Sequence, residues 1–201
     1  MNEKTASVHR AGPGQAGAGQ IGPGDGAGRE AALAAADHVL GDVHAKLTLL
    51  EYGDYESPAC MRAEPRIQHL MGAHTGRLCL VFRHFPMMEE HPHAELAAEA
   101  AEAAAAQGRF WPMHRLLLAR AHHLAPAALA GYAQSLGLDM NRFNAEMADR
   151  IYTQRVQEHR RAGEHSGLRA TPAFFLNGRS VDVSSGLEAL DAAVTAALNP
   201  S

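Results

Sequence analysis

Only two residues of the chain carry thiols, Cys60 and Cys79, and they limit the sulfur chemistry that it can perform. Cys60 ends the tetrapeptide Ser57-Pro58-Ala59-Cys60, at the start of a stretch with helical spacing. Serine is a favoured N-cap residue, because its side-chain oxygen accepts a hydrogen bond from an N–H of the first turn. Cys79 lies in the apolar run 78–82, and we interpret it as a small core residue. Two cysteines cannot supply a disulfide framework or a four-thiolate metal site.

Histidine is abundant, and the closest groups are His91 with His93 and His122 with His123. Neither group has a carboxylate or a cysteine at a recognisable ligand spacing, and the helical pattern of the zinc peptidases is absent from the sequence. We therefore predict surface or helix-capping histidines and no metal site. The arginine-rich stretch 150–169 is interrupted by glutamates, which is typical of a solvated helix face.

Hydrophobic patterning predicts the strands and helices that would position the tetrapeptide. Apolar runs predict strands over 47–52, 78–82, 173–176 and 180–183, with the hairpin signal Asn177-Gly178 between the last two. Helical spacing predicts helices over 31–36, 60–71, 95–107, 110–123, 126–136, 141–164 and 187–198. A strand–helix–strand unit favours two parallel strands, and the hairpin adds antiparallel ones. We therefore expect a mixed sheet with helices on its faces and an all-helical insertion.

Several runs resemble the DsbA-like branch of the thioredoxin superfamily, including the thioredoxin-like domains attached to some NhaA-type sodium/proton antiporters of bacteria. The strand at 49–54 leads into the tetrapeptide, where this family has Cys-x-x-Cys at a helix start, and Pro65 matches a proline of the first helix. The runs 82–86 and 91–94 are similar to runs of this branch, and Thr171-Pro172 followed by 173–178 matches its cis-proline loop, strand and turn.

The resemblance covers about residues 38–198. It implies an α/β thioredoxin fold whose mixed central sheet is built as β-α-β and then β-β-α. An all-helical insertion, at about residues 90–165, would separate the two halves.

The resemblance also implies a site for thiol–disulfide exchange, from which this chain departs at the attacking residue. In the family, the first cysteine is a thiolate stabilised by the helix N-terminus, and the second resolves the mixed disulfide. Here Ser57 replaces the first cysteine, so a dithiol cycle is impossible within the motif. Glu51 matches the family's buried carboxylate, which exchanges a proton with the second cysteine, here Cys60. Desolvation would raise the pKa of such a carboxylate. We expect Asp54 and Glu56 to disfavour a thiolate at this helix start.

Three hypotheses for function follow, with Glu51, Ser57 and Cys60 as the catalytic candidates. The first is a degenerate oxidoreductase with little or no dithiol activity and at most monothiol exchange through Cys60. The second is a glutathione-dependent transferase or isomerase of the kappa type, in which Ser57 would hold the glutathione thiolate. The third is a non-catalytic peptide-binding or chaperone-like module that uses the cis-proline groove. The candidate substrate-binding residues are Pro58, Ala59, Ala170, Thr171 and Pro172.

Composition excludes other classes of function and predicts where the folded part begins. A formal net charge of -4 argues against a nucleic-acid binder, so the expected partners are protein thiols, disulfides or extended peptide segments. No apolar run approaches the ~18 residues of a membrane span, and no secretory signal is evident, so the cytoplasm is the expected location. Residues 12–28 hold 8 of the 19 glycines, so we predict a disordered tail over 1–29 and a folded domain over 30–201.

Overall fold

The computed structural model describes residues 37–199, in which five strands form one mixed sheet in the order β1-β3-β2-β4-β5. The strands are β1 (His38–Leu40), β2 (Leu47–Gly53), β3 (Leu78–His84), β4 (Ala173–Leu176) and β5 (Arg179–Val181). β2 and β3 are parallel, and the other neighbours pair antiparallel. The predicted tail over 1–29 and the predicted helix over 31–36 lie outside the described residues.

Helices cover the sheet and form the insertion. They are α1 (Pro58–Ala73), α2 (Ala94–Ala105), α3 (Phe110–Ala119), α4 (Pro126–Ser135), α5 (Met140–Ala148), α6 (Thr153–His165) and α7 (Glu188–Leu198). α1 connects the parallel strands β2 and β3 and contains Pro65, while α2 to α6 separate β3 from β4. This order confirms the expected thioredoxin fold with a helical insertion. None of the described helices is both long enough and apolar enough to cross a membrane.

The central strands are buried on both faces, because successive side chains of a strand point to opposite sides. On one face, Leu49 and Leu80 pack with Ile67 of α1 and Val194 of α7. On the other face, Leu50 belongs to a smaller cluster with Val81, Tyr52, Phe85 and Phe175. The insertion has its own core, which also includes Tyr55, Cys60 and Phe82. The tetrapeptide cysteine therefore lies where the insertion meets the sheet.

The prediction of one helix over residues 141–164 is wrong, because the chain turns between α5 and α6. Arg150, in this turn, has a φ of 52°, a left-handed conformation that an α-helix does not continue through. Its guanidinium bonds to Glu95 and Glu99 of α2. The break is therefore associated with contacts to another helix, which the local spacing of apolar residues does not report.

Strand β1 was not predicted, since three residues are too few for a hydrophobic period. It pairs antiparallel with β3, with His38 opposite Phe82. The indole N–H of Trp111 in α3 donates to the carbonyl oxygen of Val39, at 3.1 Å. This edge strand therefore joins the sheet to the insertion. The remaining predicted elements are found with shifted ends; the return strand, for example, ends at Val181 instead of residue 183.

Candidate functional site

The tetrapeptide forms the first turn of α1, with Ser57 as its N-cap. The Ser57 Oγ accepts a hydrogen bond from the backbone N–H of Cys60, at 3.4 Å. Pro58 follows at the first helical position, where its missing N–H leaves no intrahelical bond unmade. Pro58 is exposed and Ala59 is half-buried, whereas Ser57 and Cys60 are buried. The turn therefore exposes Pro58 and part of Ala59 to solvent, whereas the Cys60 side chain is buried.

Burial keeps the Cys60 thiol protonated. The side chain is fully buried, and burial followed by the charge of Glu51 raises the pKa of the thiol to about 12. Three hydrogen bonds lower this pKa, but by less than burial raises it. They come from the Asp54 backbone N–H, at 3.4 Å, and from the side chains of Ser57 and Thr171. Because the thiolate is the nucleophilic form, this sulfur is a poor attacking group.

Glu51 lies in β2 and is fully buried. Among the described residues, neither of its carboxylate oxygens has a hydrogen-bond partner. Burial, and after it the charge of Glu64, raises its pKa to about 8. The shift has the direction expected from desolvation, and the group is mostly protonated at neutral pH.

A second set of buried polar groups lies beside Glu51, and sequence reasoning missed it. The Tyr55 hydroxyl is 3.1 Å from His114 Nδ1, and His114 Nε2 is 3.7 Å from Glu64 Oε2. Burial lowers the pKa of His114, so its imidazole is neutral. Burial pushes the pKa of Glu64 up, but the interaction with His114 and a hydrogen bond from Gln68 outweigh it and leave that pKa low. His114 lies 59 residues after Tyr55, so no sequence spacing links it to the other two.

The acidic residues before the tetrapeptide, Asp54 and Glu56, each contact a histidine. The Asp54 carboxylate accepts hydrogen bonds from the Met87 backbone N–H and from His91 Nδ1, both at 2.8 Å. The Glu56 carboxylate is held by the backbone and the ring of His93. The effect of the Asp54 and Glu56 charges on a thiolate at this helix start stays a prediction. For the Cys60 thiol, the Asp54 backbone N–H lowers the pKa and the charge of Glu51 raises it.

The loop before β4 completes the group around Cys60. The peptide bond between Thr171 and Pro172 is cis, and the Thr171 side chain hydrogen-bonds to Cys60. Ala170 is exposed, while Thr171 and Pro172 are half-buried. The structure thus brings Ser57, Cys60 and Thr171 together, and Glu51 lies near enough for its charge to raise the Cys60 pKa.

A groove of about 380 Å³ opens beside this loop. Its apolar residues are Phe85, Met87, Met88 and Leu168, and its charged residues are Glu89, Glu90, Arg160, Glu164 and Arg169. Met87 is held by Asp54, which itself touches Cys60, and Leu168 lies three residues before Thr171. We call this feature the methionine groove; it adjoins the group around Cys60.

Neither histidine pair that is close in sequence forms a metal site with the other described residues. His91 and His93 bind carboxylates, and His122 and His123 are exposed. The structure instead brings His38, His84 and Glu102 together, residues that sequence spacing could not connect.

A family model for thioredoxin matches residues 34–196 of the chain. The NhaA 1 sodium/proton antiporter of Salinispora arenicola is 48% identical over 161 residues, which are 80% of this chain and 24% of the antiporter. The chain thus spans about a quarter of the length of this relative.

Solved structures give the same fold. BdbD from Bacillus subtilis aligns with a TM-score of 0.72 at 19% identity, over 80% of this chain and 91% of BdbD. A thioredoxin-like oxidoreductase from Silicibacter pomeroyi aligns with a TM-score of 0.67 at 27% identity, over 79% of this chain and 92% of the other. The chain therefore belongs to the thioredoxin family; its fold is similar to that of DsbA-like proteins, and its sequence is similar to a segment of NhaA-named antiporters.

Proposed function

We propose that this chain is a DsbA-like module that binds extended polypeptide segments without dithiol catalysis and performs at most monothiol exchange through Cys60. One observation carries the proposal. A serine occupies the position of the attacking cysteine, and the remaining thiol is fully buried and protonated.

The chemistry of exchange supports this assignment. Disulfide exchange begins when a thiolate attacks a disulfide sulfur and ends when a second thiol displaces the first. A serine hydroxyl is un-ionised near neutral pH and forms no disulfide. With a pKa of about 12, Cys60 carries a thiolate in about one molecule in 10⁵ at pH 7. Exchange through Cys60 alone would be slow and would stop at the mixed disulfide.

The surface around Cys60 supports binding. Ala170, Thr171 and Pro172 present a partly exposed loop beside Pro58 and Ala59. The methionine groove adjoins this loop, and methionine side chains adapt to apolar groups of different shapes. A segment lying along the loop would place its side chains in the groove.

Insulin reduction tests the redox half of the proposal. We expect no catalysis by the unmodified chain, whereas Ser57→Cys restores a dithiol and gains activity. The double variant Ser57→Cys, Cys60→Ala is the matched control and loses that gain. Reduction by the unmodified chain at the rate of the Ser57→Cys variant would refute the proposal.

Suppression of aggregation of an unfolded client protein tests the binding half. We expect suppression that survives Cys60→Ala, because binding needs no sulfur. Met88→Glu places a charge in the methionine groove and weakens the effect, whereas Val43→Glu, at another exposed apolar residue, leaves it unchanged. Loss of the effect in Cys60→Ala would assign it to thiol chemistry instead.

Glutathione binding is a second candidate, favoured by a serine at a helix N-terminus beside the cis-proline loop. In that case Ser57 would hydrogen-bond to the glutathione thiolate, and the loop would hold the peptide backbone. Calorimetric titration with glutathione, repeated with Ser57→Ala, tests it. Absence of binding up to millimolar glutathione would remove this candidate.

The similarity to antiporters suggests a partner. We propose that the polypeptide bound by this chain belongs to a sodium/proton antiporter of the NhaA type, since a 48% identical segment is part of such a protein. Co-purification with a co-expressed antiporter tests this, and Met88→Glu is expected to reduce the recovered complex. The cytoplasmic location stays a prediction, which cell fractionation tests.

A further inference from the structure

Two histidines and a glutamate that lie outside the tetrapeptide come together where the insertion meets the sheet. His38 belongs to β1, His84 ends β3 and Glu102 lies in α2. Their nearest ligand atoms all lie within 4.8 Å of one another. Three different elements therefore present three metal-ligating side chains to one point.

The contacts within this group converge on one atom. Glu102 Oε1 is 2.8 Å from His38 Nε2 and 2.9 Å from His84 Nε2. The other carboxylate oxygen, Oε2, is 2.9 Å from the Nε of Arg155 in α6. One carboxylate oxygen is thus shared by two imidazole nitrogens, while a cation orients the other. Hydrogen bonds that orient a ligating carboxylate in this way are usual around protein-bound metals.

The donor set suits metal ligation, because two imidazole nitrogens and a carboxylate oxygen lie close together. Two imidazoles and one carboxylate are the ligands of open zinc sites.

We propose that His38, His84 and Glu102 form a binding site for a divalent transition-metal ion, with Zn²⁺ as the ion that fits its ligands best. The ion would bind His38 Nε2, His84 Nε2 and Glu102 Oε1. Each neutral imidazole keeps one proton, which moves from Nε2 to Nδ1. For His84, Nδ1 is buried and has no hydrogen-bond partner among the described residues, so it is available for that proton.

The surroundings set what must move when the ion enters. An Nη atom of Arg155 is 3.4 Å from His38 Nε2. This contact would break on metal binding, because the Nε2 lone pair would then be donated to the ion. The Arg155 side chain is 28% exposed, so its guanidinium has a path toward solvent. His38 is 13% exposed and stacks on Phe110, which leaves an approach for the ion from the edge of the sheet.

A bound ion would tie β1 and β3 to α2 by coordination bonds. Its effect would therefore be seen in the stability of the junction between sheet and insertion as well as in binding. The tetrapeptide residues Ser57 and Cys60 are not among the proposed ligands.

Titration of the full chain without a polyhistidine tag tests the proposal. Calorimetry with Zn²⁺ is expected to give one ion per chain, and Co²⁺ is expected to give the intense visible absorption of a four-coordinate site. Zn²⁺ is expected to raise the melting temperature. His38→Gln and Glu102→Gln each weaken binding at least about tenfold. His44→Gln, at an exposed histidine near β1, is the matched control and leaves binding unchanged.

Two results would overturn the proposal. One is no uptake of Zn²⁺ or Co²⁺ at micromolar concentrations by the unmodified chain. The other is uptake that His38→Gln does not change, which would assign the ion to surface histidines. If Glu102→Gln fails to fold, His38→Gln decides the question, because His38 lies at the sheet edge and is partly exposed.

Discussion

At the scale of single residues, the chemistry of the site depends on one atom of Ser57. An oxygen in place of sulfur keeps the helix cap, since the hydroxyl accepts the Cys60 N–H, and removes the nucleophile. The buried groups below it, Cys60 and Glu51, keep the raised pKa values that burial imposes. Structure and dithiol chemistry are therefore separable at this position.

Glu51 makes stability depend on pH in a defined window. Its pKa is about 8 in the folded chain against 4.5 when unperturbed, so the folded state holds a proton that the unfolded state releases. Its contribution to stability is full below pH 4.5 and is lost as the pH rises toward 8. Glu51→Gln removes this loss. Between pH 5 and pH 8, we expect the unfolding free energy of the unmodified chain to fall by at least about 1.4 kcal/mol relative to that of the variant. This figure corresponds to a difference of one pKa unit.

Urea unfolding of both proteins at the two pH values measures this difference. Comparison with the variant cancels the contributions of the histidines, which titrate in the same window. Glu89→Gln, at an exposed carboxylate, is the control and should follow the unmodified chain. Identical pH dependence of the unmodified chain and Glu51→Gln would contradict the raised pKa.

At the scale of elements, α6 packs closely on the sheet at a glycine. A Cβ at Gly163 would lie 2.6 and 2.7 Å from ring atoms of Phe85 and 3.2 Å from Tyr52. Both aromatic rings are buried, so neither can move aside without disturbing the core. This close approach fixes the position of α6, and with it one side of the methionine groove.

Gly163→Ala should therefore destabilise the chain although alanine favours helices. Overpacking costs about 1–3 kcal/mol, more than the gain of about 1 kcal/mol from helix propensity. In contrast, Gly131→Ala, in α4, should stabilise by about 0.5–1 kcal/mol, because its Cβ would meet nothing within 4 Å. Urea unfolding measures both, and stabilisation by Gly163→Ala would disprove the close packing.

The turn between α5 and α6 depends on Arg150. Its guanidinium bonds to both carboxylate oxygens of Glu99, which is fully buried in α2. Arg150→Gln removes these bonds from the buried carboxylate, which the Thr153 hydroxyl also contacts at 3.0 Å, and we expect a loss of about 1–3 kcal/mol in unfolding free energy. Arg142→Gln, in an exposed pair with Glu146, is the control and should change stability little. Equal effects of the two variants would contradict a structural role for Arg150.

At the scale of the whole molecule, the insertion and the thioredoxin half share a junction. Trp111 packs against the core of the insertion and against the core formed by the sheet, α1 and α7. Its indole N–H also binds the carbonyl oxygen of Val39 in the edge strand. Because Tyr55, Cys60 and Phe82 belong to the insertion core, neither half buries its apolar surface alone.

We therefore expect the described part of the chain to unfold in one cooperative transition. Trp111 is the single tryptophan of the chain, so its fluorescence reports on the junction, while far-ultraviolet circular dichroism reports on the helices. The two signals should have the same midpoint in urea. An earlier fluorescence transition would mean that the junction opens first.

The sequence by itself determined the order of most elements and the loss of the attacking thiol. Strands such as β2 and helices such as α1 follow from local hydrophobic patterns, which physical chemistry relates directly to secondary structure. The serine in the tetrapeptide is likewise a local fact, since the chemistry of a hydroxyl does not depend on its neighbours in space. The resemblance of the sequence to the DsbA-like branch predicted the thioredoxin fold, which the comparisons confirm.

Only the tertiary structure decided which distant residues meet. It placed the turn at Arg150 where a single helix was predicted, and it brought His91 to the Asp54 carboxylate. It also assembled Tyr55 with His114, and His38 with Glu102, across separations of 59 and 64 residues. These contacts depend on how whole elements pack, and the spacing of residues along one element carries no information about its neighbours.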